Sequence, residues 1–257
     1  MAERTQRRWT EDEVLAVLSL YCQIPFGKMH TGNPQVATLA KRIDRTTSSV
    51  ALKLANLASL DPYHQSRGVA GMRNASTVDR RVWEQHFGQW DKLRDAYVFA
   101  REDVSRSAVK DGVLGDEIER PTTEVIEQRT ARRGQQFFRN AVFAAYDNRC
   151  CVTEIACAGL LRASHIVPWA ESETGRLDPC NGLCLNSLHD AAFDRGLVAF
   201  SADCRLILAA SLDQQMPRDV FREFFGRYDG AQITTPDRFA PNEAYLSYHR
   251  ERVFVGC

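Results

Sequence analysis

Residues 163–197, ASHIVPWAESETGRLDPCNGLCLNSLHDAAFDRGL, gather several chemically active side chains between short apolar runs. LLRASHIVPW and GLCLNS predict two strands joined by a polar loop, and LHDAAFDRG predicts a short helix that ends at Gly196. In this order, a histidine at the end of the first strand faces polar side chains of the helix. The residues concerned are His165, Asn181, His189, Asp190 and Asp194.

These residue types suit the hydrolysis of a phosphodiester bond. Histidine is the side chain whose ordinary pKa is suited to activating water near neutral pH. Asp190 and Asp194 are four positions apart, so on a helix they share one face, where a divalent ion could bind. Oxygen ligands favour Mg²⁺ or Mn²⁺, whereas a ligand such as His189 also admits Ni²⁺, Co²⁺ or Zn²⁺.

In their order and spacing, ASHIVPW, DPCNGLCL and LHDAAFDRG resemble the HNH endonucleases, which have the ββα-metal fold. With the preceding RRGQQFFRNAVFAAYDNRCCVTE, the resemblance covers residues 130–200. It implies that His165 is the general base and that Asn181 holds the loop and helps to orient that histidine. It further implies that His189 is the third signature residue, that Asp190 and Asp194 are metal ligands or support them, and that one divalent ion is the cofactor.

The sequence departs from that family at Ser164. Many relatives have Asp or His directly before the general base, where it binds the metal, and serine is a weak ligand. The ligands must then come from the helix, and the sequence does not rank His189 against Asp190 or Asp194. Many relatives also carry a zinc-binding cysteine frame, but the eight cysteines of this chain include no CxxC pair, so we expect no structural zinc.

The first hundred residues predict a mostly helical domain. WTEDEVLAVLSLYCQI opens with a capping-box pattern, because Thr10 precedes Glu13 by three positions. NPQVATLAKRID and RTTSSVALKLANLASL then predict two helices joined by a tight turn, which is a helix-turn-helix arrangement. The alternative is that these helices only pack against each other in a helical core. As a recognition helix, the second would contact DNA through Arg45, Thr47, Ser48 and Lys53.

The same region has a weaker resemblance of its own. RRWTEDEVLAVLSLYCQIPFGK, RTTSSVALKLANLASLDP and RGVAGMRNAS are similar to a helical, winged-helix-like module found ahead of HNH domains in bacterial restriction-type proteins. In those proteins the module selects the target and the HNH domain cuts. The resemblance implies a modification-dependent restriction enzyme. Independently of it, the position of GMRN before the next helix indicates a wing or a turn that approaches a partner.

Charge divides the chain, although its 33 basic and 33 acidic side chains cancel. Residues 101–128 hold four basic and eight acidic side chains, which predicts an acidic linker, whereas residues 129–168 hold six basic and two acidic ones. A local basic face favours a polyphosphate partner. We therefore predict an α+β protein with a DNA-recognition domain at 1–100, a linker at 101–128 and an HNH nuclease domain with extra helices at 129–257.

The favoured function is a metal-dependent DNA endonuclease, whose candidate contacts to the DNA backbone are Arg132, Arg133, Arg139 and Arg162. Two alternatives stay open: a DNA-binding regulator with a disabled HNH fold, which Ser164 favours, and an RNA-cutting toxin nuclease. One cut per protomer favours a homodimer on double-stranded DNA. Because no apolar run is long enough to cross a membrane and no signal peptide is evident, we expect a cytoplasmic protein.

Overall fold

The computed structural model describes residues 7–66, 75–99 and 123–256. The chain divides into two compact units, Met1–Phe137 and Phe138–Cys257, whereas we expected the nuclease domain to begin at residue 129. The GMRN segment and most of the acidic segment 101–128 lie outside the described residues. Helices and small antiparallel sheets are both present, which confirms the α+β class.

Helices make up the N-terminal unit, and residues 7–66 and 75–99 contain no strand. Thr10 and Glu13 form both hydrogen bonds of the expected capping box, and Asn33 caps the second helix with Pro34 at its first position. The helices are α1 (Glu11–Gln23), α2 (Pro34–Arg42), α3 (Thr47–Ala58), α4 (Pro62–Ser66), α5 (Thr77–His86) and α6 (Trp90–Phe99).

Helix α1 is the centre of this unit, because α2, α3, α5 and α6 all pack against it. Its apolar positions Val14, Leu18 and Tyr21 are fully buried, as their helical spacing predicts. The Tyr21 hydroxyl donates a hydrogen bond to the Asp61 carboxylate at 2.6 Å, so the polar end of this buried ring is satisfied. The helix-turn-helix pair α2 and α3 is thus part of a larger helical core.

Arg45, expected on the DNA-facing surface, is engaged within the unit. Its guanidinium pairs with the Glu13 carboxylate at 2.8 Å and is 8% exposed. It also donates hydrogen bonds to the carbonyl oxygens of Arg7 and Arg8, each at 2.7 Å. Arg45 therefore ties the chain before α1 to the turn before α3, and its charge is neutralised by Glu13.

Lys53 is engaged in the same way. Its ammonium group donates to the Asp79 carboxylate at 2.7 Å, and the two side chains are 6% and 0% exposed. Trp9 lies against both cations, because the Arg45 guanidinium and the Lys53 ammonium are 4.5 and 4.7 Å from its ring centroid. Lys53 is the one charged residue of α3, and it faces the interior rather than solvent.

The outer surface of α3 is consequently uncharged. Thr47 is half-buried at the start of the helix, and the exposed positions are Ser48, Leu52 and Ala55. Contact of Thr47 and Ser48 with DNA stays a prediction. For Arg45 and Lys53, the same contact would require breaking a buried ion pair.

The Lys53–Asp79 pair yields a stability prediction. Lys53→Met should leave the fully buried Asp79 carboxylate without its cation and lower the free energy of unfolding by about 3–5 kcal/mol. Hydrogen exchange of amides in α3 and α5, followed by mass spectrometry on the full chain, measures this change. Arg81→Met is the matched control, because the Arg81–Glu11 pair is half-exposed and should contribute less than about 1 kcal/mol. Equal losses in the two variants would contradict the prediction.

The C-terminal unit contains the predicted order of strand, loop, strand and short helix, which a hairpin and two further helices follow. Its first helix, α7, begins before the boundary between the two units. The helices and strands are α7 (Thr123–Ala145), β1 (Leu161–His165), β2 (Gly182–Asn186), α8 (Ser187–Asp194), β3 (Val198–Phe200), β4 (Leu206–Leu208), α9 (Arg218–Phe224) and α10 (Glu243–Arg252).

Strands β1 and β2 form an antiparallel pair in which His165 lies opposite Gly182 and Leu161 lies opposite Asn186. Strand β2 runs directly into α8, and α8 packs against both strands. Strands β3 and β4 form a separate hairpin, with Val198 opposite Leu208. The first pair and α8 therefore make a ββα unit, with the end of β1 close to the helix.

Two glycines allow close packing around this unit. A side chain at Gly182 would collide with Phe138 and Val142, so α7 lies against the start of β2. Gly196 follows α8 with a φ of +69°, and a side chain there would meet the carbonyl oxygen of Val253. The core between these elements is apolar; its fully buried side chains include Val142, Leu161, Ile166, Leu183, Leu185 and Phe193.

The cysteines of the described residues are all free thiols: Cys22, Cys150, Cys151, Cys157, Cys180, Cys184 and Cys204. Burial raises the pKa of Cys184 to about 12, and it raises that of Cys151 as well. Among the described helices, none combines the length and the apolar character that crossing a bilayer requires.

Candidate active site

His165 ends β1, and three contacts orient its ring. Its Nε2 is 3.0 Å from the carbonyl oxygen of Arg176, and because a carbonyl only accepts, Nε2 carries the proton and Nδ1 is unprotonated. One face stacks on Phe138 at 3.7 Å between centroids, with 10° between the planes. Trp169 meets the ring edge-on at 5.6 Å. The ring is thus held in one orientation and one tautomer.

Burial also sets the charge of this histidine. The pKa of His165 is lowered from its ordinary 6.5 because burial disfavours the charged form, and the hydrogen bond to the Arg176 carbonyl opposes the shift only in part. His165 is therefore neutral at pH 7, and Nδ1 is available to accept a proton from water.

Asn181 fixes the loop between β1 and β2. Its side chain is fully buried, accepts from the backbone N–H of Val167 at 2.8 Å, and donates to the carbonyls of Val167 and Gly175 at 3.1 Å each. One amide thus joins both ends of the loop that contains Trp169 and Arg176. The loop is held in the conformation that puts the Arg176 carbonyl against His165.

Arg176 is a site residue that the sequence did not reveal. Its carbonyl oxygen orients His165, and its Nε donates to the carbonyl oxygen of Trp169 at 2.8 Å. The guanidinium carbon is also 5.6 Å from the centre of the Trp169 ring. Because a backbone carbonyl makes the contact with His165, the type of side chain at position 176 could not predict it.

Asp190 and Asp194 line the same cleft as His165, and the cleft has a volume of about 480 Å³. The Ser164 hydroxyl donates a hydrogen bond to Oδ1 of Asp190 at 2.7 Å. The pKa of Asp194 is raised, first by partial burial and then by the negative charge of Asp190, while Arg195 opposes the shift. A neighbouring cation would favour the charged form of Asp194.

The donor set fits a hard divalent ion. Within residues 7–66, 75–99 and 123–256, no three His, Cys, Asp or Glu side chains converge on a ready-made metal cage. Mg²⁺ does not need such a cage, because it is usually held by one or two carboxylates together with water and substrate phosphate. Asp190 and Asp194 supply that pair on one face of α8, as their spacing predicts.

His189 lies away from the cleft. It is 1% exposed, and its Nδ1 lies 3.0 Å from the amide nitrogen and 3.2 Å from the amide oxygen of Asn186. Its ring packs against Phe225 and Tyr228 at 5.2 and 5.8 Å between centroids. Burial lowers the pKa of His189 to about 4, and a hydrogen bond with the backbone of Phe224 partly opposes this shift. The structure therefore brings Asp190 and Asp194 to His165, but not His189.

Asn186 was also missed, and it connects β2 to α8. Its Oδ1 caps the helix by accepting from the backbone N–H groups of Leu188 and His189, each at 3.0 Å. Its amide group donates to the Thr153 hydroxyl at 3.1 Å. An asparagine directly before an apolar helix is an N-cap signal that the sequence does contain.

The four candidate arginines separate into two groups. Arg139 and Arg162 line the cleft, while Arg132 and Arg133 occupy exposed positions on α7 and are not among the lining residues. The guanidinium carbon of Arg139 is 4.2 Å from the centroid of the Phe143 ring, and Nη2 donates to the carbonyl oxygen of Leu161 at 3.4 Å. Of the four, Arg139 and Arg162 line the same cleft as His165.

His249 comes from α10 and lines the cleft as well. Its ring is parallel to that of Phe193, 3.7 Å away, and its Nε2 lies 3.1 Å from the Phe193 carbonyl oxygen. Burial lowers the pKa of His249 to about 4. His249 thus anchors the end of α8, next to Asp194, and nothing in its local sequence indicated this contact.

We compared the chain with models of known protein families, and one of them matches the ββα unit. A model described as HNH endonuclease matches residues 150–201. This segment is similar to the HNH endonucleases. The match spans β1 to β3 and includes His165, Asn181 and both aspartates, whereas Arg139 and His249 lie outside it. It supports a nuclease, a hydrolase acting on nucleic acid, and HNH nucleases generally use a divalent metal ion. Among curated proteins, none gives a significant match to the chain.

The two buried histidines predict acid sensitivity of the C-terminal unit. His189 and His249 have pKa values of about 4 when folded, below the unfolded value of 6.5, so the unfolded chain binds more protons between these limits. The free energy of unfolding should therefore fall as the pH decreases from 6.5 to 4, by up to ~3 kcal/mol for each histidine.

Hydrogen exchange of amides in β1, β2 and α8, corrected for the intrinsic pH dependence, measures this loss. His249→Phe keeps a ring against Phe193 and should remove the part of the pH dependence that His249 contributes. His30→Phe is the control, because His30 is exposed in the N-terminal unit. A stability that does not change between pH 6.5 and 4 would refute the assignment.

Proposed function

We propose that the chain is a metal-dependent endonuclease that hydrolyses phosphodiester bonds of DNA, with His165 as the general base. One observation carries the proposal: His165, held as the neutral tautomer with Nδ1 unprotonated, lines the same cleft as Asp190 and Asp194. A fixed base and a pair of oxygen ligands are the groups that metal-assisted hydrolysis of a phosphodiester requires.

Each side chain has a separate task in this reaction. Nδ1 of His165 takes a proton from the attacking water, and the Arg176 carbonyl and Phe138 keep that nitrogen oriented. Asp190 and Asp194 would hold the divalent ion, with Mg²⁺ or Mn²⁺ favoured by their oxygen atoms. When bound, such an ion stabilises the charge that develops on the phosphate and the leaving oxygen.

Arg139 and Arg162 provide positive charge in the same cleft and are the proposed contacts to the DNA backbone. The finer proposal is restriction of DNA with modified bases, which rests on the resemblance of the N-terminal segments to modules found ahead of HNH domains. A homodimer would bring two clefts to the two strands of a duplex. In the N-terminal unit, Thr47 and Ser48 remain the proposed contacts.

Replacement of the base tests the reaction directly. His165→Ala should lower the rate of plasmid cleavage by about 10²- to 10⁴-fold, the usual contribution of a general base, and should leave DNA binding unchanged. Cleavage is measured on agarose gels with Mg²⁺, Mn²⁺ or Ni²⁺, and binding by fluorescence anisotropy without metal. His30→Ala is the control in the other unit. Cleavage by His165→Ala at the unaltered rate would refute the role.

The substrate is tested with one plasmid in four forms: unmodified, adenine-methylated, cytosine-methylated and hydroxymethylated. Cleavage of one modified form alone would support restriction of modified DNA and identify the modification. Equal cleavage of all four forms would support the nuclease proposal and contradict the dependence on modified bases. Faster cleavage of single-stranded RNA would favour the toxin alternative, and no cleavage with any ion would favour the DNA-binding regulator.

The pH dependence of cleavage follows from the environment of His165. Burial lowers its pKa below 6.5, and the reaction needs the neutral form, so kcat/KM should stay high through neutral pH. The rate should decrease only as the pH falls below 6.5, when His165 becomes protonated. Initial rates between pH 5 and 8 at saturating Mn²⁺ measure this profile. A rate that is already halved above pH 6.5 would contradict it.

A further inference from the structure

Ser164 occupies a buried position between the base and the proposed ion site. It precedes His165 in β1, is 3% exposed and pairs with Leu183 of β2. Its side chain points to α8, where the hydroxyl donates to Oδ1 of Asp190 at 2.7 Å. Ser164 also lines the cleft that contains Asp190 and Asp194.

We propose that Ser164 is a positioning residue for the divalent ion, because its hydroxyl fixes the Asp190 carboxylate so that the other oxygen, Oδ2, binds the ion together with Asp194. This inference rests on the proposed function of the cleft. It assigns no ligand role to Ser164 itself: the hydroxyl acts through Asp190.

The hydrogen bond has the properties that this role requires. The terminal torsion of an aspartate is broad, so a carboxylate without a partner samples many orientations. A hydroxyl that donates to a carboxylate makes a stronger bond than one between neutral groups and therefore restricts that torsion. Because serine is uncharged, it orients Asp190 without adding a third negative charge beside Asp194, which lines the same cleft.

A purely structural role for the same bond is less well supported, because α8 is attached to the strands in other ways. Asn186 caps its first turn, and Phe193 is fully buried beneath it. His249 then holds the Phe193 carbonyl at the far end. Since these contacts fix the helix without Ser164, the remaining effect of its hydroxyl is on the direction of the Asp190 carboxylate.

The test measures Mn²⁺ binding to the metal-free full chain without DNA, from the electron paramagnetic resonance signal of unbound Mn²⁺. Ser164→Ala should raise the dissociation constant about tenfold, as loss of a hydrogen-bonding partner of a metal ligand generally does. In an Asp190→Asn background, the same change should add no further loss. Ser201→Ala is the matched control, because Ser201 donates the same kind of hydrogen bond to Asp203, at 2.6 Å on the exposed hairpin. The affinity of this variant for Mn²⁺ should equal that of the unaltered chain.

Folding of each variant is checked by circular dichroism. If Ser164→Ala does not fold, Ser164→Cys replaces it, since a thiol has similar size but donates weakly, and a weaker affinity for Mn²⁺ is again expected. A folded variant with unaltered affinity would overturn the inference. Failure of both variants to fold would also overturn it, because the bond would then serve the fold.

The outcome is separable from that of the proposed function. If Asp190→Asn weakens Mn²⁺ binding and Ser164→Ala does so through it, but no DNA is cut, the inference stands and the nuclease proposal fails. If Asp190→Asn binds Mn²⁺ as tightly as the unaltered chain, Asp190 is not a ligand and the inference is overturned.

Discussion

The candidate site depends on the buried amide of Asn181. In an apolar interior an amide is stable only when its hydrogen bonds are made, and Asn181 makes them with the backbone of the loop it ends. The loop conformation that satisfies Asn181 also puts the Arg176 carbonyl against Nε2 of His165. The tautomer of His165 is therefore a consequence of the loop conformation that Asn181 holds. The ββα unit places the two aspartates in the same cleft as this oriented base.

The sequence predicted the elements that have a clear period or a clear end. Both strands of the ββα unit, and α8 with Gly196 after it, were found where the apolar runs and the turn residues indicated. It also placed Asp190 and Asp194 together, since a helix turns by about 100° per residue and four positions return to the same face. It could not tell which face of α8 meets the core, and this decided that His189 is buried whereas the aspartates line the cleft. The contacts of Arg176 and His249 come from a backbone carbonyl and from a helix distant in sequence, which no local pattern reports.

In the N-terminal unit, two cations that were expected at the surface are buried. Arg45 and Lys53 were expected on the DNA-facing surface, because the second helix of the pair was interpreted as a recognition helix. Each instead pairs with an acidic residue, Glu13 or Asp79, that also closes a capping box three positions into another helix. Capping could be predicted from local spacing, but the ion pairs join residues 32 and 26 positions apart. Trp9 lies against both cations, and this contact also joins residues that are distant in the sequence, so no local pattern predicts it.

The burial of the thiols has a consequence for the chemical reactivity of the molecule. Nucleophilic attack requires the thiolate, and burial raises the pKa of Cys151, Cys180, Cys184 and Cys204, so these groups react slowly with electrophiles. Cys157 is the exposed exception among the described cysteines. Among the described cysteines, a maleimide dye should therefore attach to Cys157 first, just ahead of β1.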